Sequence, residues 1–71
     1  MEFLVVRFGA PTVRRGVLVN GNQFGLTNTL IQIEAGTHTI ALAPPPDFSP
    51  ATRTVVIADT SELAPYTVTF T

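Results

Sequence analysis

Between Thr29 and Leu42 the chain reads TLIQIEAGTHTIAL, two runs of alternating apolar and polar residues on either side of a break at Ala35 and Gly36. In the first run Ile31 and Ile33 share one face, with Leu30, Gln32 and Glu34 on the other. In the second, His38, Ile40 and Leu42 oppose Thr37, Thr39 and Ala41. Side chains of a strand alternate between its two faces, so each run has one apolar face for a core. The stretch is expected to form a β-hairpin around which the remaining strands are organised.

The rest of the chain follows the same grammar. Residues 2–8, EFLVVRF, set Phe3, Val5 and Arg7 against Leu4, Val6 and Phe8 and predict a strand partly covered on both faces. Gly9, Ala10 and Pro11 end it, because proline cannot donate to a ladder. Val17 and Val19 share one face of the next strand. Asn20-Gly21 then supplies the pair that tolerates positive φ at both centres of a tight type I′ turn. Residues 23–26 return from that turn, and Gly25 predicts a bulge or a close backbone approach.

Pro44-Pro45-Pro46 stops the second arm of the central stretch and predicts a stiff, extended loop through Asp47, Phe48, Ser49 and Pro50. RTVVIA at 53–58 is a further strand with Val55 and Ile57 on one side. Asp59-Thr60-Ser61-Glu62 has the spacing of a helix capping box, limited by Pro65 to a single turn. The final YTVTFT places Tyr66, Val68 and Phe70 inward and Thr67, Thr69 and Thr71 outward. Six or seven strands without helical periodicity predict an all-β domain, an immunoglobulin-like or prealbumin-like sandwich of antiparallel strands.

Length and composition sharpen this picture. With 71 residues there is room for one core, so residues 1–71 are expected to be a single domain. A domain this small buries only about 60% of the surface its unfolded chain exposes. No cysteine is present to add a disulfide or a thiolate metal site. Hydrophobic residues make up 45% and charged residues 13%, a balance that favours a well-packed core or association with a partner. The net charge of −1 and four basic residues weigh against nucleic acid, which needs several Lys or Arg contacts to phosphates. Arg14-Arg15, the one adjacent basic pair, is expected to be solvated or ion-paired. The apolar run Phe3–Val6 is too short for a signal peptide or a membrane span, so neither targeting nor membrane insertion is expected from the residues present.

Several of these features together resemble the PEGA domain, a small β-sandwich module of bacteria and archaea. They are Gly16-Val17-Leu18-Val19 followed by Asn20-Gly21, then Gly25, and the strand Leu30–Ile33. The run Gly36-Thr37-His38-Thr39-Ile40 and the strand Arg53–Ile57 complete the likeness, which spans about Arg14 to Ala58. At the Pro-Glu-Gly-Ala turn that gives the family its name, the matching positions hold Glu34, Ala35, Gly36 and Thr37, with the glycine retained. The resemblance implies a non-catalytic module, often extracytoplasmic, that serves in surface layers or in binding.

No combination of side chains points to an enzyme. His38 is the only histidine, falls on the face of Ile40 and Leu42, and is expected to be structural, with a hydrogen-bonded nitrogen. Ser49 or Ser61 with His38 and Asp47 or Asp59 supplies the residue types of a triad, but neither serine sits in a nucleophile elbow. The carboxylates Glu2, Glu34, Asp47, Asp59 and Glu62 lack the spacing of a calcium loop, and neither a metal nor another cofactor is expected. The expected function is a non-catalytic interaction or structural module, making protein–protein or surface-layer contacts. The alternative is a carbohydrate- or small-ligand-binding domain using Asn22, Phe24 and the loop Pro45, Pro46, Asp47 and Phe48, provided that these meet at one end of the sandwich. Phe48 either presents its ring to a partner from a stiff backbone or, the preferred reading, folds back over the end of the sandwich. The strand Thr67–Thr71 carries no Lys, Glu or Pro, so as an outermost strand it is open to pairing with a protein partner or a second copy.

Overall fold

The computed structural model describes residues Met1–Thr71 and contains seven strands and no helix. They are β1 (Glu2–Arg7), β2 (Gly16–Val19), β3 (Asn22–Leu26), β4 (Leu30–Ile33), β5 (Gly36–Leu42), β6 (Arg53–Ile57) and β7 (Tyr66–Thr69). Two sheets form, with strand orders β4-β1-β7 and β3-β2-β5-β6. The expected all-β, sandwich-like architecture is the observed one.

The two-residue period explains why the sheets face each other. The three-stranded sheet buries Leu4, Val6, Ile31, Ile33 and Val68, with Phe70 just beyond β7. The four-stranded sheet buries Val17, Val19, Ile40, Leu42, Val55 and Ile57 against them. These twelve residues form one apolar cluster, and burying each side chain contributes roughly 1.5–3 kcal/mol before entropy is counted.

The central stretch Thr29–Leu42 is not a hairpin. Its first arm, β4, pairs with β1 of one sheet, and its second, β5, pairs with β2 and β6 of the other. Glu34 and Ala35 carry the chain across the sandwich as an arch. Both geometries point Ile31, Ile33, Ile40 and Leu42 inward, so alternation alone cannot separate them. Strand bounds decide it. The break expected at Ala35-Gly36 falls instead at Glu34-Ala35, with the positive φ of 131° on Gly36, the first residue of β5. The link therefore lacks the pair of positive-φ residues that a type I′ hairpin needs, and neither of its residues offers one. Asn20-Gly21 does, and with φ of 51° and 89° it closes the β2–β3 hairpin as expected.

Gly25 combines both of its expected roles. The β2–β3 register shifts between Val17 and Leu18, leaving Phe24 as the additional residue of a bulge. A Cβ on Gly25 would lie 2.9 Å from Cδ1 and Cγ1 of Ile31, so glycine is what lets β3 close against β4 of the opposite sheet.

Three further details differ from expectation. The pairing is not antiparallel throughout, because β7 runs parallel to β1. These strands are far apart in sequence and need no tight turn between them. The Asp59–Glu62 segment opens no helical turn; Asp59 takes φ of 57°, and Ser61 and Ala64 close a β-turn by exchanging backbone hydrogen bonds of 3.2 and 3.1 Å. Thr60 is drawn to β1 instead, where its N–H and hydroxyl donate to Glu2 Oε1 at 2.8 and 2.7 Å and its Oγ1 accepts the Phe3 N–H at 2.7 Å. The proline loop is bent rather than extended, with the Asp47 N–H donating to the Pro45 carbonyl at 2.9 Å.

Candidate functional site

Strand register fixes which loops share an end of the sandwich. Glu2 stands opposite Ile33, Gly36 opposite Ile57, and Val19 opposite Asn22, so the N-terminal strand start, the β4–β5 arch and the β2–β3 turn gather at one end. The segments following Arg7 and Leu42 and preceding Gly16 gather at the other. The sequence candidates are therefore divided. Asn22 and Phe24 lie toward the arch, and Pro45, Pro46, Asp47 and Phe48 lie at the far end, so the six do not form one site.

At the proline-loop end the polar and aromatic groups satisfy each other. Phe48 folds back, its ring edge-on between Phe8 (centroids 6.2 Å apart, 79°) and Phe70 (5.7 Å, 86°). Arg15 places its guanidinium 5.0 Å from the centre of the Phe8 ring, donates to both carboxylate oxygens of Asp47, and reaches the Pro45 carbonyl at 3.0 Å. The hydrogen bond from Arg15 holds the Asp47 carboxyl below its usual range, with the guanidinium charge adding to it. Of the basic pair, Arg15 is ion-paired, one of the two expected states, whereas the exposed Arg14 donates to the Pro11 and Val13 carbonyls.

Thr27 and Asn28, in the link between β3 and β4, tie this end together. Thr27 is the one fully buried polar residue; its hydroxyl accepts the Arg15 N–H at 2.9 Å and donates to the Val13 carbonyl at 3.1 Å. Asn28, at φ of 60°, directs its amide at the carbonyls of Phe8, Ala10 and Val13, 3.0–3.1 Å away. Asparagine's tolerance of positive φ between two apolar strands was the available signal.

At the arch end a cleft of about 300 Å³ opens between the sheets. Val19 and Ile33 form its apolar floor, and Phe24, carried outward on the bulge, keeps half its surface exposed beside them. Asn20 and His38 build a fixed wall. The Asn20 Oδ1 accepts the Thr39 N–H at 2.9 Å, and its Nδ2 faces His38 Nδ1 at 3.4 Å. The His38 Nε2 lies 2.8 Å from the Glu34 carbonyl, which can only accept, so Nε2 carries the proton and Nδ1 receives from Asn20. Both ring nitrogens are thus engaged, as expected of a structural histidine.

Asn22 and Glu34 complete the lining, and neither side chain hydrogen-bonds within the chain. The single ion pair of the protein is Arg15–Asp47, at the opposite end. The cleft therefore offers one amide, one unpaired carboxylate and an aromatic ring over an apolar floor. Asp47, a triad residue type, lies with the proline loop, away from His38.

Comparison with protein-family models, curated proteins and solved structures finds no match to the chain.

Proposed function

We propose that the protein is a non-catalytic interaction or structural module of PEGA-like character, making protein–protein or surface-layer contacts. The observation that carries this reading is the outer edge of β7. β7 is the last strand of its sheet, and the Phe70 N–H turns inward to the Arg7 carbonyl. Alternation then turns the backbone groups of Thr67 and Thr69 outward. Beyond them Thr71 exchanges hydrogen bonds of 2.7 and 2.8 Å with Ser49, so the ladder on this edge already accepts one pairing. Thr67 and Thr69 extend it with no Lys, Glu or Pro to block a further strand.

Light scattering across a concentration series tests the self-association form of this reading. Association that grows with concentration and is lost in Thr69→Pro, whose N–H lies outside the β1 ladder, supports it. A clean monomer at high concentration removes self-pairing through this edge.

The second reading, a carbohydrate- or small-ligand-binding domain, is favoured by one observation: Asn22 and Phe24 do line a common cleft. Chemical-shift titration with cell-wall glycans tests it, and the absence of localised shifts leaves it unsupported.

A further inference from the structure

We infer that the cleft at the arch end receives a basic side chain, Lys or Arg, from a partner polypeptide. This rests on the interaction-module reading and names the chemistry of its partner.

Three observations converge on a cation with an alkyl stem. The floor made by Val19 and Ile33 is apolar and suits methylene groups, which long basic side chains bury while keeping the charge near water. The Phe24 ring is half exposed beside the cleft, and aromatic rings attract ammonium or guanidinium groups within about 6 Å of their centroids. Glu34 supplies a carboxylate with no cation of its own, and Asn22 an amide oxygen with no donor. The Asn20–His38 wall is fixed by its own hydrogen bonds, so little ordering is required when a guest arrives.

The charge distribution points the same way. Register places Glu2 and Glu34 at the arch end, and Asp59 and Glu62 follow directly on Ile57, which pairs with Gly36. Arg7, Arg14 and Arg15 belong to the opposite end, Arg53 stands opposite Ile40 on β5, and the chain has no lysine; the N-terminal ammonium is the one positive group that acts on Glu2. An acidic end faces an approaching basic peptide, and such a field raises the encounter rate and weakens with salt.

A sugar fits less well. Each buried hydroxyl needs a partner. Asn20 and His38 have already committed theirs, which leaves Asn22 and Glu34 to serve a whole pyranose.

The test is a two-dimensional amide NMR titration with capped lysine, Nα-acetyl-lysine methylamide, against its uncharged isostere, capped norleucine, and against methyl glucoside. Lysine is expected to give saturable, millimolar shifts confined to the amides around Asn20, Phe24, Glu34 and His38, and to lose affinity as salt is raised. Glu34→Gln keeps the dispersed spectrum and weakens lysine by about threefold or more, toward norleucine, as expected of an exposed charge pair. Phe24→Leu weakens lysine while retaining the apolar floor. Absence of saturable shifts at the cleft overturns the assignment, as does equal binding of norleucine and lysine, or binding of the glucoside in place of lysine. Edge pairing by light scattering is read independently, so a cleft that ignores lysine in a chain that still associates sinks the inference and leaves the interaction module standing.

Discussion

At one end of the sandwich Phe48 lies edge-on between Phe8 and Phe70 and Asp47 is clasped by Arg15, whereas at the other Phe24 stays half exposed and Glu34 meets no cation. Each end has an aromatic ring, a carboxylate and turn residues. The difference lies in what the neighbouring loops supply. The long segments after Arg7 and Leu42 bring Phe8, Arg15 and Phe48 together over the core, and the short β3–β4 link knots them down through Thr27 and Asn28. The two-residue links at Asn20-Gly21 and Glu34-Ala35 are too short to fold over anything, so the sheets gape above Val19 and Ile33. The eight-residue link between β6 and β7 also lies at the arch end, but Thr60 ties it to Glu2 and Phe3 and it does not line the cleft, so what matters is where a loop is anchored as well as how long it is.

Substitutions at matched residues can break this contrast. The largest effect is expected at the closed end, in Asn28→Ala, which removes an amide serving three carbonyls and puts alanine at positive φ. Lost hydrogen bonds and backbone strain together predict a loss of about 2–3 kcal/mol. Asn22→Ala, with no internal hydrogen bond to lose, is expected to change stability by less than about 0.5 kcal/mol. Urea denaturation of the pair reads the difference directly, and similar midpoints for both would mean that the ends are not differently built.

The aromatic pair comes next. Phe48→Ala opens the gap between Phe8 and Phe70 and is expected to cost about 2 kcal/mol, less than a fully buried phenylalanine because the ring is only partly covered. Phe24→Ala is expected to leave stability within about 0.5 kcal/mol of the parent, since its ring packs on the cleft rather than in the core. Thermal unfolding checks both. A smaller contrast sits at the seam joining the sheets: Gly25→Ala drives a Cβ into Ile31 and is expected to cost about 1–2 kcal/mol, part of which Ile31→Val returns by removing Cδ1. Full additivity of the two substitutions would show that the contact is not where β3 and β4 are limited.

How much of this was legible in the chain varies with the kind of signal. The faces of the strands were, because burying Leu4, Val6, Ile40 or Val55 requires no knowledge of which strand lies alongside. Partnership was not: inward-facing arms at Ile31–Ile33 and Ile40–Leu42 suit a hairpin and an arch equally, and Gly36 beside the break suits a turn in either. The parallel β1–β7 pair is set by the docking of distant segments, which leaves no local trace. For the site, Asn22 and Phe24 were legible as exposed polar and aromatic residues beside a turn. Glu34 and Asn20 were not, since their position at the cleft follows from the arch and from the His38 network.

The smallest effect expected is on acid stability, and it compares the carboxylates that each end uses for structure. Hydrogen bonds from the Thr60 backbone and hydroxyl hold Glu2 below its usual range at the arch end, and the hydrogen bond from Arg15 does so for Asp47 at the other. A carboxyl whose folded pKa lies below its unfolded value adds stability above the ordinary carboxylate range and loses it as pH falls through the lowered value. Melting temperature should therefore be level near neutral pH and decline on acidification. Glu2→Gln and Asp47→Asn should each lower it at neutral pH and flatten the decline, because the amides have no charge to lose. Both groups face solvent, so the shifts should be small and should shrink with salt. The two ends differ in emphasis: neutral hydrogen bonds from Thr60 dominate at Glu2, with the N-terminal charge a lesser contribution, whereas at Asp47 the donor itself carries the positive charge. Added salt should then erode the contribution of Asp47 more than that of Glu2, and equal erosion would show that the Arg15 charge contributes no more than its hydrogen bonds.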